Sequence, residues 1–277
     1  MTEKIDTKKK LQTRETLIED MRSIGIEKGM TLIVHSSLSS IGWVSGGAVN
    51  VILALMEAVT EEGTLVMPTQ TPMLSDPYEW NDPPVPEEWH ARLKADMPGY
   101  HPDYSPSSGM GIIPETFRTF QSVRRSSHPA VSFAAWGKNK DFFMEDHPYD
   151  FALGESSPLG KLYKSGAYVL LLGVEFDSNT SFHLAEYRIT YQDKINTSHP
   201  IIENGETIWK AREDLEFREE LFEELGAAFE KEEDVGFGKI GSAHIRLFKM
   251  EDSVDFAVRW FKQKDKKANK KQQKRRQ

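Results

Sequence analysis

The stretch from Met30 to Met67 constrains the fold more than any other part of the chain. Met30 to Val34 is an apolar run of strand length, followed by the small and turn-forming residues of SSLSSIGWVSGG. From Ala48 the side chains of Ala48, Val51, Ile52, Leu55, Met56 and Val59 keep a 3.6-residue period, until Gly63 ends the pattern before a second β-rich run, Thr64 to Met67. A strand–loop–helix–strand unit of this length favours two parallel strands in an α/β sheet, because parallel strands need a crossover and a helix supplies it. Leu17, Ile18, Met21 and Ile24 predict an amphipathic helix from Thr16, with Gly25 at a left-handed C-cap. Ala167 to Val174 (AYVLLLGV) is apolar throughout, as a central strand covered on both faces would be.

Pro68 to Pro106 is proline-rich and aperiodic, and a segment of that length reads as a structured excursion, a lid or a substrate wall. Beyond it, Ile112 to Phe120 predicts a short helix and Val131 to Trp136 a strand, while Asn204-Gly205 between two β-like runs predicts a hairpin. Leu221, Phe222, Leu225, Ala228 and Phe229 lie on one stripe among many acids, so Glu213 to Glu233 reads as a solvated amphipathic helix.

The chain has 277 residues, enough for a sizeable core, and the division expected is one domain over 1–262 and a basic, disordered tail over 263–277. Lys262 to Gln277 holds nine Lys or Arg and one Asp, inside a chain of net charge −8. That tail is low in complexity and lacks aromatic residues, which favours a solvated end over an RNA-binding adaptor. The acidic remainder suits a cationic or neutral substrate, with no nucleic-acid partner. Zero cysteines exclude disulfides, a thiolate nucleophile and cysteine-bound metal. The polar N-terminus has no signal-like apolar core, and no window approaches the roughly 18 apolar residues of a membrane span, so a cytoplasmic protein with no membrane partner is expected. Sequons at Asn179 and Asn196 are then chance matches.

Three constellations could carry chemistry. HSSLSSIGWVSGGA, His35 to Ala48, joins a strand to a helix through small residues and could cradle an anion at backbone N–H groups, although a plain tight connection has the same pattern. It is no Walker A loop, since Ala48 stands where lysine belongs. RRSSHPAVSF, Arg124 to Phe133, offers arginines for phosphate and a histidine, or else a capped structural turn. NTSFHLAEYR follows the apolar strand, and if it is helical, His183 and Glu186 meet at i,i+3. A carboxylate beside an imidazole orients it as a general base, and a surface ion pair is the alternative. The eight histidines form no close H-x-x-x-H pair, so no metal site is expected.

Together these segments resemble the aminoglycoside 3-N-acetyltransferase family, also called the antibiotic acetyltransferase family, over about Met30 to Arg188. VMPTQT, SPSSGMGIIPETFR and GESSPLGKLY are further blocks of the resemblance, and GKIGSAHIRLF extends it more loosely. It implies a three-layer α/β/α fold around a mixed, mostly parallel sheet, distinct from the GNAT acetyltransferases. It also implies transfer of acetyl from acetyl-coenzyme A to an amine of an aminoglycoside-like small molecule. By this resemblance Ser36, Ser37, Leu38, Ser39, Ile41, Gly42, Trp43, Val44, Gly46, Gly47 and Ala48 take the coenzyme A pyrophosphate and pantetheine, in agreement with the anion cradle. Ser108, Met110 and Gly111, with Arg125, Ser126 and His128, would line the rest of the channel.

On the acceptor side the resemblance implies His183 as the base, Glu186 as its orienting carboxylate and His35 as a second site histidine. Direct transfer between two bound substrates needs no protein nucleophile, so the lack of cysteine is no obstacle. Backbone N–H groups of the Ser36 to Gly47 loop could stabilise the developing oxyanion. For a polyamine acceptor, Asp76 and Glu79 on the excursion are the candidate ligands, with Asp82, Glu87 and Glu88 nearby. SPSSG stands where the family often carries a T-P-T type sequence, a departure near the cofactor. Two alternatives stay open on the same residues: a catalytically weak coenzyme A-binding module, and an acetyltransferase for a non-antibiotic metabolite amine. The oligomeric state also stays open, a homodimer being one option.

Overall fold

The computed structural model describes residues 10–81, 84–190 and 193–275. In chain order its strands are β1 (Leu11–Gln12), β2 (Thr31–Ser36), β3 (Trp43–Val44), β4 (Thr64–Pro68), β5 (Arg124–Arg125), β6 (Phe133–Gly137), β7 (Tyr168–Leu172), β8 (Lys194–Glu203), β9 (Glu206–Leu215), β10 (Gly236–Ile240) and β11 (Ala243–Lys249). Its helices are α1 (Arg14–Ser23), α2 (Leu38–Ile41), α3 (Gly47–Val59), α4 (His90–Asp96), α5 (Ile112–Phe117), α6 (Lys140–Met144), α7 (Pro158–Lys164), α8 (Ser181–Glu186), α9 (Phe222–Glu232) and α10 (Met250–Arg275).

Seven strands make one sheet in the order β10-β11-β7-β2-β4-β6-β5. β2 lies parallel to both β4 and β7, the arrangement expected of the strand–loop–helix–strand unit. β6 and β11 run against their neighbours and β5 and β10 turn back again, so five strands of this mixed sheet share one direction. Period-2 alternation then builds two cores. Leu32 and Val34, with Leu65, Met67, Leu170 and Leu172, pack beneath α1, α3 and α5. Ile33, with Val66, Val169 and Leu171, packs on the other side against Phe143, Leu159, Phe182, Phe229 and Phe261 from α6 to α10. Apolar strands with both faces covered, as AYVLLLGV predicted, make the three-layer α/β/α arrangement.

Three expectations are corrected. The loop after β2 is not wholly irregular, because Leu38–Ile41 forms one helical turn and Trp43–Val44 pairs in parallel with Leu11–Gln12. The helix placed from Glu213 begins at Phe222, since Glu213 to Leu215 complete the ladder with Lys194 to Asn196. The segment from 263 is not a separate disordered tail: α10 continues to Arg275. Val254, Ala257 and Phe261 anchor that helix, Lys264 pairs with Glu224, and Arg218 bonds Asp265 at 2.8 Å. Lysine, glutamine and alanine then propagate it without a breaker.

The β8–β9 hairpin forms a separate two-stranded sheet, closed by Asn204 and Gly205 at φ of 52° and 83°. Both are left-handed, as a type I′ turn requires. The proline-rich excursion docks on this hairpin. Tyr100 N–H donates to Pro200 O at 2.9 Å, Trp209 Nε1–H donates to Lys94 O at 2.9 Å, and His199 Nδ1–H donates to Leu74 O at 2.6 Å.

Three histidines, His128 and His199 buried and His147 half-buried, are each locked in a neutral tautomer, and His199 joins the hairpin to the excursion. His128 accepts from Ala130 N–H and Val131 N–H on Nδ1 and donates to Tyr149 O; His147 donates to Ala152 O; His199 Nε2 accepts from Arg212. Burial holds His147 and His199 at about 4 and His128 well below its usual value, against the opposing pull of their bonds to the carbonyls of Ala152, Leu74 and Tyr149. The unfolded chain therefore binds more protons than the folded one below about pH 6.5, so stability is full above that pH and is lost as pH falls towards 4. His147 and His199 are each expected to cost about 2 kcal/mol at pH 5, with His128 acting in the same direction, so Tm should fall by about 10 °C between pH 8 and pH 5 in scanning calorimetry. A flat Tm over that range would contradict neutral burial of these rings.

Candidate active site

β2, β4 and β7 end side by side, and the chain leaves each of them over the same edge of the sheet. Ser37 N–H donates to Leu172 O at 3.0 Å and Ser40 Oγ–H to Gly173 O at 2.9 Å, which fixes α2 across the end of β7. Gly173, at φ of 69°, permits this approach, since a Cβ there would lie 2.5 Å from that of Ser40. Asn179 Oδ1 accepts from the N–H of Ser181 at 3.2 Å and from its hydroxyl at 2.6 Å, which starts α8.

A cavity of about 930 Å³ opens at this edge. Its first wall contains Ser36, Ser37, Leu38, Ser39, Gly42 and Trp43, its second Gly109, Met110, Gly111, Ile112 and Pro114, and its third Val174, Asp177, Ser178, Thr180, His183 and Glu219. His35, Pro68 and Gln70 complete it at the strand ends. Three of the sequence blocks thus meet around one space beyond the carboxyl ends of the strands, where α/β sheets hold ligands.

His183 and Glu186 meet as the i,i+3 spacing predicted, with Nδ1–H donating to Glu186 Oε2 at 2.8 Å. Glu186 is wholly buried, and its Oε1 accepts from Arg218 N–H at 2.8 Å. On the cavity side His183 Nε2 lies 3.2 Å from Glu219 Oε1, and the Phe217 ring packs against the imidazole at 4.2 Å. Burial alone would lower the His183 pKa, but the bonds and charges of Glu186 and Glu219 outweigh it and raise it to about 9. His35 is held at about 3, first by burial and then by the charge of His183, so it is a neutral imidazole. His35 Nε2 and Ser36 Oγ are buried in this lining without a hydrogen-bond partner, as is Ser108 Oγ beside Gly109. Unsatisfied buried polar atoms are costly, so a ligand with polar groups fits this wall.

Other predicted site residues stand elsewhere. Ile41, Val44 and Ala48 belong to the core under α3, and Gly46 and Gly47 make the left-handed turn into that helix. Arg125 is not in the lining. Its guanidinium donates to Thr69 O at 2.6 Å, Pro102 O at 3.3 Å and Ser105 O. Ser126 accepts from Phe133 N–H, and His128 is spent on the backbone bonds described above. RRSSHP is therefore the capped structural turn that its residues also allowed. Asp76 pairs with Lys94 and accepts from Ser198 Oγ, Glu79 lies outside the lining, Glu87 and Glu88 are exposed, and Asp82 falls outside the described residues.

Among the described residues, the carboxylates that line the cavity are Asp177 and Glu219, and no lysine or arginine is in that lining. Asp177 sits inside a block already singled out, two residues before Asn179. Glu219 is one acid among many in a stretch read as a solvated helix, and nothing in the local pattern marks it.

Residues 33–262 match the family model for aminoglycoside 3-N-acetyltransferase. The chain belongs to that family. It is 56% identical over 261 residues to the SPβ prophage-derived aminoglycoside N(3′)-acetyltransferase-like protein YokD of Bacillus subtilis, covering 94% of this chain and 96% of that one. The crystal structure of YokD superposes with a TM-score of 0.89 over 91% of this chain and 94% of that one. Aminoglycoside N(3)-acetyltransferase VII of Streptomyces paromomycinus is 33% identical over 268 residues, 91% of this chain and 92% of that one. AAC-IIIb in a binary complex with CoASH gives a TM-score of 0.83 at 27% identity, over 92% of this chain and 98% of that one. Each of these aminoglycoside 3-N-acetyltransferase family matches covers at least 91% of the chain.

Proposed function

We propose that this protein transfers acetyl from acetyl-coenzyme A directly to an amine of an aminoglycoside-like polyamine sugar, with His183 as the general base. The observation that carries this reading is the buried His183–Glu186 pair facing, across one cavity, a wall of small residues with unsatisfied polar atoms. The relative that binds CoASH and the relative named for aminoglycoside N(3)-acetylation support the two substrate classes.

The chain's own groups divide the work. Ser36 to Ser39 and Gly109 to Gly111 would hold the pantetheine arm, and the unpaired His35 Nε2 and Ser36 Oγ would bond its polar atoms. The coenzyme supplies an activated acetyl thioester. An ammonium cannot attack it, so a base must take the proton of the incoming amine, and only a neutral His183 can do so at Nε2. Glu186, held by Arg218 N–H, keeps Nδ1 protonated and Nε2 aimed into the cavity. Asp177 and Glu219 give the acceptor wall the negative charge that a polycation requires.

A thiol-release assay with acetyl-coenzyme A across aminoglycosides and simple polyamines tests this. Aminoglycoside-dependent release is the expected result. Release with simple polyamines alone would move the acceptor to a metabolite amine, and coenzyme binding without release to any amine would leave a binding module.

A further inference from the structure

Two carboxylates grip His183 from opposite sides, and they are built differently. Glu186 is fully buried on α8 and fixed by a backbone N–H, whereas the Glu219 side chain is 66% exposed on the 3-10 turn Glu219–Leu221 and lines the cavity. Glu219 also occupies Nε2, the atom that must receive the proton of the acceptor amine. With Glu219 in place the histidine cannot act as a base, so the reaction described above requires that carboxylate to leave.

A second cation is what would draw it away. We propose that Glu219 is a substrate-operated latch: in the free protein it holds Nε2–H of His183, and a polycationic acceptor pulls it onto an ammonium other than the reacting one. This rests on the reading of His183 as the base. As Glu219 turns, the Nε2 proton passes to solvent, leaving a neutral imidazole whose Nδ1–H still donates to Glu186. The other groups around the ring do not replace the lost partner: His35 from β2 is neutral, Phe217 and Phe222 are apolar, and Asp177, which accepts from Ser178 Oγ, makes no bond to the ring. Burial then favours the neutral ring. An acceptor can shift this equilibrium only by binding the unlatched state better, and a second ammonium supplies that difference. A monoamine lacks it, so the latch selects for polyamines.

The test uses the full chain and Glu219→Gln, a same-size change at an exposed turn, with Tm confirming the fold. His183 imidazole signals are titrated by 1H–15N NMR without acetyl-coenzyme A, alone and with sisomicin or glucosamine, the latter carrying a single amine. Wild-type His183 is expected to titrate near 9, to fall by about one pH unit or more with sisomicin, and to stay put with glucosamine. In Glu219→Gln the free protein should already show the lowered midpoint, with no further fall on adding sisomicin. The acid limb of kcat/KM for sisomicin should move down in pH by the same amount, and KM for sisomicin should rise about tenfold. An unchanged His183 midpoint in Glu219→Gln, or equal shifts with both amines, overturns the latch. Turnover retained in His183→Gln would instead remove the base reading beneath it, and so separates the two failures.

Discussion

His183→Ala is expected to lower turnover about 10²–10⁴-fold while the Kd for coenzyme A stays within about threefold. The imidazole has its bonds to Glu186 and Glu219 and none to the Ser36 to Ser39 or Gly109 to Gly111 wall, so on the proposed reading its loss would remove proton transfer and not the coenzyme seat. Steady-state kinetics beside isothermal titration with coenzyme A separate the two quantities. The wild-type pH profile carries the same signature. A base whose pKa is raised to about 9 is protonated at neutral pH, so kcat/KM should climb with pH until about 9 and level off above it. A profile already flat from pH 7, or a His183→Ala variant with near wild-type turnover, would assign the proton to another group.

Arg125→Met is expected to cost about 3 kcal/mol or more of stability and little coenzyme affinity. The sequence offers this arginine as a phosphate ligand, yet its guanidinium is buried and ties Thr69, beyond β4, to Pro102 and Ser105 of the excursion. Methionine fills much of the space but donates nothing, so buried carbonyl oxygens lose their partners. Tm should drop by about 6–12 °C, and well below the new midpoint the Kd for coenzyme A should stay within about threefold. A tenfold weaker Kd with unchanged Tm would return Arg125 to the cofactor channel.

The parts legible in the sequence are those where one local period decides the structure. The Met30 to Met67 unit, the AYVLLLGV strand and the Asn204-Gly205 turn each needed only neighbours in the chain, and so did the His183–Glu186 pair at i,i+3. What stayed hidden depends on partners far away in sequence. Glu213 to Leu215 carry a helical-looking acid pattern, but the ladder with Lys194 to Asn196 overrides it. Glu219 meets His183 only because β9 carries the chain there, and one ring nitrogen of His128 is taken by Tyr149 O from a separate loop. The same holds at the C-terminus, where the contacts of α10 with Glu224 and Arg218 are invisible in a run of lysines.

The walls of the cavity come from opposite layers. Loops 36–43 and 109–114 ride on the core beneath α3 and α5, while 174–183 and Glu219 ride on the core beneath α8 and α9. On the proposed reading, a single molecule joining an amino sugar to a pantetheine thiol through a two-carbon bridge would clamp the two layers together. Once one half is seated, the other searches only the volume of its tether, an effective concentration in the millimolar range. Such a conjugate would resist displacement by either parent compound alone, and it would do so by spanning the sheet edge without needing any new contact.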